Sequence, residues 1–184
     1  MNHNSIHASA LVRTDRIGPF AEVRAFTYIE SDTCVGRFAH IGSHCTIQGA
    51  QVGEQVTLGQ GVHLPAGVTV EQGATLGDHV AIDQPPGPRR EPPATRIGEG
   101  AHIGPNATIR AGLSIGRHAR VEPGSVVRES VPDYAHVAGP DGHQLGWVCP
   151  CGQPLALPVQ GDGHTVCTCG QAYVLAGGRL AGGS

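Results

Sequence analysis

The chain contains no lysine: all twelve basic residues among its 184 are arginine. Aromatic residues make up 4 % and include a single Trp. An interior built from large rings is therefore excluded, and the core must be slim and aliphatic. The formal charge of −3 gives no electrostatic case for nucleic acid as a partner. No apolar run approaches the ~18 residues of a membrane-spanning helix. Residues Met1 to Ala8 lack the charged and apolar regions of a secretory signal, so a cytoplasmic location is the expectation. The match of Asn106-Ala107-Thr108 to a glycosylation acceptor then has no consequence.

What the chain does have is a beat. Ile, Leu or Val stands at positions 11, 17, 23, 29, 35, 41 and 47, then 52, 58, 64, 70, 76 and 82, then 97, 103, 109, 115, 121 and 127. A period of six belongs to neither a helix nor an ordinary sheet. It is the signature of a solenoid whose hexads are each a short strand plus a turn. A second, mostly smaller residue recurs two positions earlier, as at Ala21, Thr27, Thr33, Ala39 and Cys45. Alternation puts i and i−2 on the same side of a strand, so both point inward. Gly follows the aliphatic residue at 18, 36, 42, 53, 59, 77, 98, 104 and 116, which reads as a residue chosen for a sharp corner. Three hexads close a triangular coil of about 18 residues. The expected fold is all-β, a parallel β-helix of about six coils rising ~4.8 Å each. A β-sandwich would not keep its strands in phase across loops.

Two interruptions break the beat. One residue is missing between Ile47 and Val52, as in a tightened corner. Nine are added between Ile82 and Ile97, within a Pro- and Arg-rich stretch. That stretch, 83–96, must leave the column, because proline cannot donate to a sheet ladder and charge cannot enter an aliphatic core. It reads either as a site-building loop or as a plain solvated excursion.

After Val127 the beat stops, and residues 1–138 read as the repeat domain with 139–184 as a small Cys-rich tail. Cys149-Pro150-Cys151-Gly152 and Cys167-Thr168-Cys169-Gly170 suggest a zinc-ribbon-like unit, in which Cys149, Cys151, Cys167 and Cys169 hold one structural Zn²⁺ in place of a core. One intervening residue per pair is tighter than the usual two. Disulfides and unmetallated thiols are the alternatives. Cys45 occupies an inward slot and reads as core.

The repeat resembles the left-handed β-helix of hexapeptide-repeat acyltransferases, which use coenzyme A or acyl carrier protein as donor and work as trimers. A narrower resemblance is to sugar-nucleotide 3-N-acetyltransferases. It is carried by Ile103-Gly104-Pro105-Asn106-Ala107-Thr108-Ile109, by Val131-Pro132-Asp133-Tyr134-Ala135, by Gly146-Trp147 leading into a Cys-rich tail, and by Pro88-Arg89 in the insertion. The chain departs from that group at Arg24-Ala25-Phe26-Thr27-Tyr28, where two histidines are missing, at Gly139-Pro140-Asp141-Gly142, and at Asp83-Gln84.

The resemblance implies a left-handed homotrimer, acetyl-CoA as acyl donor, and a small amine or nucleotide-linked amino sugar as acceptor. It puts Asn106, Gln84 and Glu91 against the sugar and Ala111 and Gly112 along the pantetheine groove. Amide formation from a thioester needs a proton acceptor for the amine and donors for the oxyanion. Corner N–H groups are candidate donors. His79, at a corner just before the insertion and in phase with His44, is the candidate base, against the alternative of a solvated corner histidine. Together His79, Asn106 and Glu91 form the catalytic candidates, and Asp83, Gln84 and Arg89 the substrate-binding ones. Arg89, Arg90 and Arg96 either fork onto a diphosphate or are a solvated charge run. His40, His63 and His102 precede inward aliphatics and should face outward, toward solvent. His118 is a weaker corner candidate. The competing functions are a noncatalytic trimeric scaffold and a zinc hydratase resembling γ-carbonic anhydrases.

Overall fold

The computed structural model of the protein describes residues 3–83 and 94–182. The expected solenoid is what forms. The described residues are all-β, and the column is a parallel solenoid of about seven turns. Its first face stacks Ser5–Ile6, Glu22–Val23, His40–Ile41, Thr57–Leu58, Thr75–Leu76, His102–Ile103, Arg120–Val121 and Ala135–Ala138. The second face has seven strands, from Leu11–Val12 to Val126–Val127, and the third has five, from Cys34–Val35 to Ser114–Ile115. The stack exceeds six coils because Ser5–Ile6 and Ala135–Ala138 extend the first face beyond the two ends of the beat.

From Val23 to Val127 every aliphatic of the beat is buried, at most 3 % exposed. Each such side chain contributes ~1.5–3 kcal/mol by leaving water, and each rung is covered only by the rungs above and below. Leu11, which the beat predicts to face inward, is 52 % exposed, because Leu11 pairs with Tyr28 and it is Val12 that pairs with the buried Ile29 and packs against the core. The inner partners are buried too, from Ala21 to Ser125, apart from the half-buried Leu113.

The glycines after the aliphatics do a different job from the one their positions suggest. None of the nine has a positive φ. A Cβ on Gly42 would meet the Gly59 carbonyl oxygen at 2.3 Å, and one on Gly77 would meet Pro105 N at 2.6 Å. They are glycine because the next coil's backbone passes through the space a side chain would fill. The left-handed residue of the corner comes two positions later in all nine cases: Phe20, Phe38, His44, Gln55, Gly61, Gly73, His79, Gly100, Asn106 and His118 include every one of them, joined by Phe26 and Tyr134 on the same edges. Seven of those nine are not glycine, at ~1–2 kcal/mol of backbone strain apiece.

Two kinds of contact offset the strain. Above Phe20 in the lowest coil, the N–H of each of these residues donates one coil down, as from His79 to Gln60 O (2.7 Å), Asn106 to Asp78 O (2.8 Å), His118 to Glu99 O (2.8 Å) and Tyr134 to Arg117 O (2.8 Å). Their rings stack along the edge: Phe20 on Phe38 and Phe26 on His44, both at 5.1 Å, and His118 on Tyr134 at 5.4 Å.

The tail grows out of the first face. Ala135–Ala138 pairs antiparallel with His143–Val148, which pairs in turn with Pro154–Leu155. Gly163–Val166, Ala172–Ala176 and Arg179–Gly182 form a separate antiparallel sheet. Trp147 is buried and donates Nε1–H to Pro158 O at 2.9 Å. Tyr134 of the last column corner meets Tyr173 of the tail edge-on, ring centroids 5.9 Å apart.

Candidate active site and metal centre

The two edges that flank the second face divide the candidate residues. His79 and Asn106 lie on the edge between the first and second faces, on consecutive coils, joined by the Asn106 N–H to Asp78 O bond. Both side chains are exposed. The His79 imidazole packs on the coil below, where a Cβ on Gly61 would fall 2.5 Å from its Nδ1, so only the missing side chain of Gly61 admits the ring. His44 stands on the same edge with Gly61 between it and His79, the spacing the sequence predicts.

Asp83, Ala111 and Gly112 gather instead at the next corner, between the second and third faces. Asp83 pairs in register with Arg110, and its carbonyl accepts from Ala111 N at 2.9 Å. Gly112 N donates to Thr95 Oγ1 at 2.8 Å. The strand Ala81–Asp83 runs between them, so His79 and Asp83 stand on the two different edges of the second face. Gln84, Arg89, Arg90 and Glu91 lie outside the described residues. Arg96 is held by Glu71, Nε to Oε1 at 2.6 Å.

One expectation is narrowed. The corner N–H groups of His79, Asn106, Ala111 and Gly112 are all donating within the column, so none of these four can receive an oxyanion. Asn106 carries an exposed, neutral side-chain amide on the same edge as His79.

The four tail cysteines converge. Each pair forms the same turn: Cys149 N donates to Gln153 O (2.9 Å) and Gly152 N to Cys149 O (2.8 Å), while Cys167 N donates to Gln171 O and Gly170 N to Cys167 O, both at 2.8 Å. The turns face one another, with Sγ of Cys149 and Cys169 3.6 Å apart, those of Cys151 and Cys167 also 3.6 Å, and all four within 4.8 Å. Four thiolates at ~2.3 Å from a tetrahedral Zn²⁺ would sit roughly 3.8 Å apart, whereas a disulfide needs ~2.05 Å. The donor set therefore suits a soft divalent metal. The Cys167 thiol is lowered to about 6, chiefly by the Cys169 backbone N–H, with help from the neighbouring thiols. The Cys151 thiol is pushed up to about 12 because its sulfur neighbours disfavour a second charge, outweighing the Gln153 backbone N–H that lowers it. Tyr173 donates its hydroxyl to Cys149 Sγ at 3.0 Å. Its own pKa is raised, by burial first and then by that bond. Cys45 is core, as expected, with its thiol 3.1 Å from Gly59 O and its pKa raised by burial.

A further cleft escapes a reading of sequence alone. The first turn, Cys149 to Gly152, roofs the first face above Thr75, His102 and Arg120, with Gly100 and His118 at one side, enclosing about 270 Å³. His102 faces outward as expected, but into this cleft. Burial, then the charge of Arg120, lowers its pKa. Thr75, His102 and Arg120 share one register. The signal in the sequence is a separation of 18 residues for one coil and of 27 for a coil carrying the nine-residue insertion.

Two models of transferase repeats match this column. "Hexapeptide repeat of succinyl-transferase" matches residues 38–83, and "Bacterial transferase hexapeptide (six repeats)" matches 94–129. No curated protein matches. Among solved structures, the GDP-perosamine N-acetyl transferase of Caulobacter crescentus, in complex with CoA and GDP-perosamine, is similar. It has a TM-score of 0.58 and 21 % identity over 78 % of this chain. The chain spans 56 % of that enzyme's length. The N-acyltransferase AntD of Bacillus cereus, in complex with dTDP and coenzyme A, has a TM-score of 0.58 and 14 % identity over 78 % of this chain and 83 % of its own. A hexapeptide transferase family protein of Anaplasma phagocytophilum has a TM-score of 0.57 and 15 % identity, covering 79 % of this chain and 80 % of its own. At these identities the likeness shows the fold, and the column carries the hexapeptide repeat of bacterial transferases on both sides of its insertion.

Proposed function

We propose that the protein is a CoA-dependent N-acyltransferase that acetylates a small amine, specifically an amino sugar linked to a nucleotide. The observation that carries the reading is the pairing of His79 and Asn106 on consecutive coils of one edge, within a column that two transferase repeat models match. Two similar folds were solved with CoA and a nucleotide or nucleotide sugar.

In this reading neutral His79 takes the proton of the attacking amine, and the Asn106 amide donates to the oxygen that gains charge as the thioester carbonyl becomes tetrahedral. Ala111 and Gly112 are small enough for the pantetheine arm to lie against their backbone. Asp83, with Gln84 and Arg89, belongs to acceptor recognition, and Glu91 remains a catalytic candidate facing the sugar. Because His79 and the Ala111-Gly112 corner stand apart on one chain, donor and acceptor meet where edges of different chains come together, in a left-handed homotrimer. Residues 139–184 form a module held by structural Zn²⁺ on its four cysteines.

Acetyl-CoA should raise the unfolding temperature and, with nucleotide-linked amino sugars, release free thiol. His79→Ala should lower kcat/KM by ~100–10,000-fold, and Asn106→Ala by ~100-fold. A protein that acetyl-CoA does not protect is a scaffold, not a transferase. Metal beyond one ion per chain would favour the hydratase.

A further inference from the structure

The cleft beneath the first cysteine turn is separate from the edge that carries His79 and Asn106. Its floor is a ladder of three side chains at coil spacing, Thr75, His102 and Arg120. One side is the corner of Gly100 and His118. There the imidazole is fixed on both faces, by the Tyr134 ring above and by Gly100 below, where a Cβ would fall 2.4 Å from Nδ1. Only the imidazole's edge is left to face the cleft. The roof is the Cys149 to Gly152 turn, with the Pro150 ring in it. The enclosed volume, about 270 Å³, lies just under the ~300–1,000 Å³ of sites for drug-sized molecules. It has room for one ring system and not for an entire nucleotide sugar.

Charge decides between two classes of ligand. Arg120 would suit a phosphate, but its Nε is already paired with Glu122 at 3.0 Å, and the same carboxylate oxygen takes His136 at 2.7 Å. Four thiolates around a divalent cation would add a net charge of −2 at the roof. An oxyanion therefore gains little here. What the cleft offers a neutral guest is a set of short-range donors and acceptors, the Thr75 hydroxyl and the ring edges of His102 and His118, beneath a turn that carries the Pro150 ring. That combination fits a planar heterocycle with polar edges.

We propose that this cleft seats a nucleobase, held between the Pro150 turn and the first face and read at its edge by Thr75, His102 and His118. The inference rests on the transferase reading for the source of the base, which is either the nucleotide of the acceptor or the adenine of the coenzyme. From His102 to Asn106 is four residues, at most roughly 13 Å of chain, a span that a nucleotide-linked sugar can bridge. The tail then has a part in recognition, since its first turn turns an open sheet face into a slot.

The test uses the full-length, zinc-loaded chain with ¹³C-labelled histidine, titrated with thymidine, uridine, guanosine, adenosine and inorganic pyrophosphate. At least one nucleoside should shift the His102 and His118 ring signals saturably, leaving His40, which lies lower on the same face, unmoved. His102→Ala should weaken that binding tenfold or more. Thr75→Val gives a second, milder variant should the first be unstable. A response confined to adenosine assigns the base to the coenzyme, and a response to another nucleoside assigns it to the acceptor. Silence from every nucleoside, a response to pyrophosphate alone, or unchanged affinity in both variants would overturn the proposal. Thiol release from acetyl-CoA is scored separately. Activity without nucleoside binding sinks only the cleft, and nucleoside binding without activity sinks only the transferase.

Discussion

Column and tail solve the same problem by opposite means. The column buries an aliphatic side chain at nearly every sixth residue, and each coil rests on the next, so its stability is spread over many nearly equal layers. The tail has few layers to add up. Among the described residues its buried side chains are Trp147, Val148, Leu155, Tyr173, Leu175 and Leu180 with two of the cysteines, too little for a unit of that size to fold alone. Four sulfurs converge in it, a donor set that would supply the rest by holding a metal. The difference teaches that repetition tolerates local damage, whereas a point closure does not.

The sharpest way to break this contrast is to disable the proposed metal site. Structural zinc in small modules carries on the order of 10 kcal/mol of folding free energy. Chelation, or Cys149→Ser, should therefore abolish the near-ultraviolet signal of Trp147 and Tyr173 while the β-sheet far-ultraviolet spectrum of the column persists. Loss of both together would show that the two regions fold as one. A smaller effect is expected from closing the gap between coils. Gly77→Ala puts a Cβ against Pro105 backbone and should cost ~3 kcal/mol in urea unfolding. Gln55→Gly should cost nothing, or stabilise by up to ~1 kcal/mol, because Gln55 is in the left-handed region at φ 56°. Equal penalties at both positions would refute the separation of close approach from corner strain.

The smallest effect is electrostatic. Glu122 is held below the usual carboxylate range, first by the hydrogen bond from His136, with Arg120 adding to it. A carboxyl depressed in the folded state binds protons more readily when unfolded. Its contribution is thus fully present above its unfolded value near 4.5 and fades as pH falls through the lower folded value. Glu122→Gln should lower the neutral plateau and flatten the acid limb, leaving stability below the folded value of Glu122 little changed. An equal drop at every pH would mean the carboxylate acts through packing.

The beat and its inner partners made the column legible before any coordinates, because a side chain's inward direction is fixed by its own strand. Paired cysteines made the convergence of four sulfurs legible for the same reason, since each turn is local. The reason for the glycines was not legible. It depends on the backbone one coil above, and a local reading assigns Gly77 to a corner that His79 in fact provides. Nor was the second cleft, because His102 looks outward in any coil and only the placement of the tail gives it a roof. The candidate residues were spread over two edges for a related reason. Asp83 and His79 are near neighbours in sequence, but the strand between them carries the chain across a whole face.

The corner bonds have a consequence for motion. In most β proteins the bends exchange their amide hydrogens quickly while the strands hold theirs. Here His79, Asn106, His118 and Tyr134 each lend an amide to the coil beneath, so the bends are locked as firmly as the sides. Deuterium should enter from the two ends and advance turn by turn, like a spring unwinding, instead of leaking in along the edges.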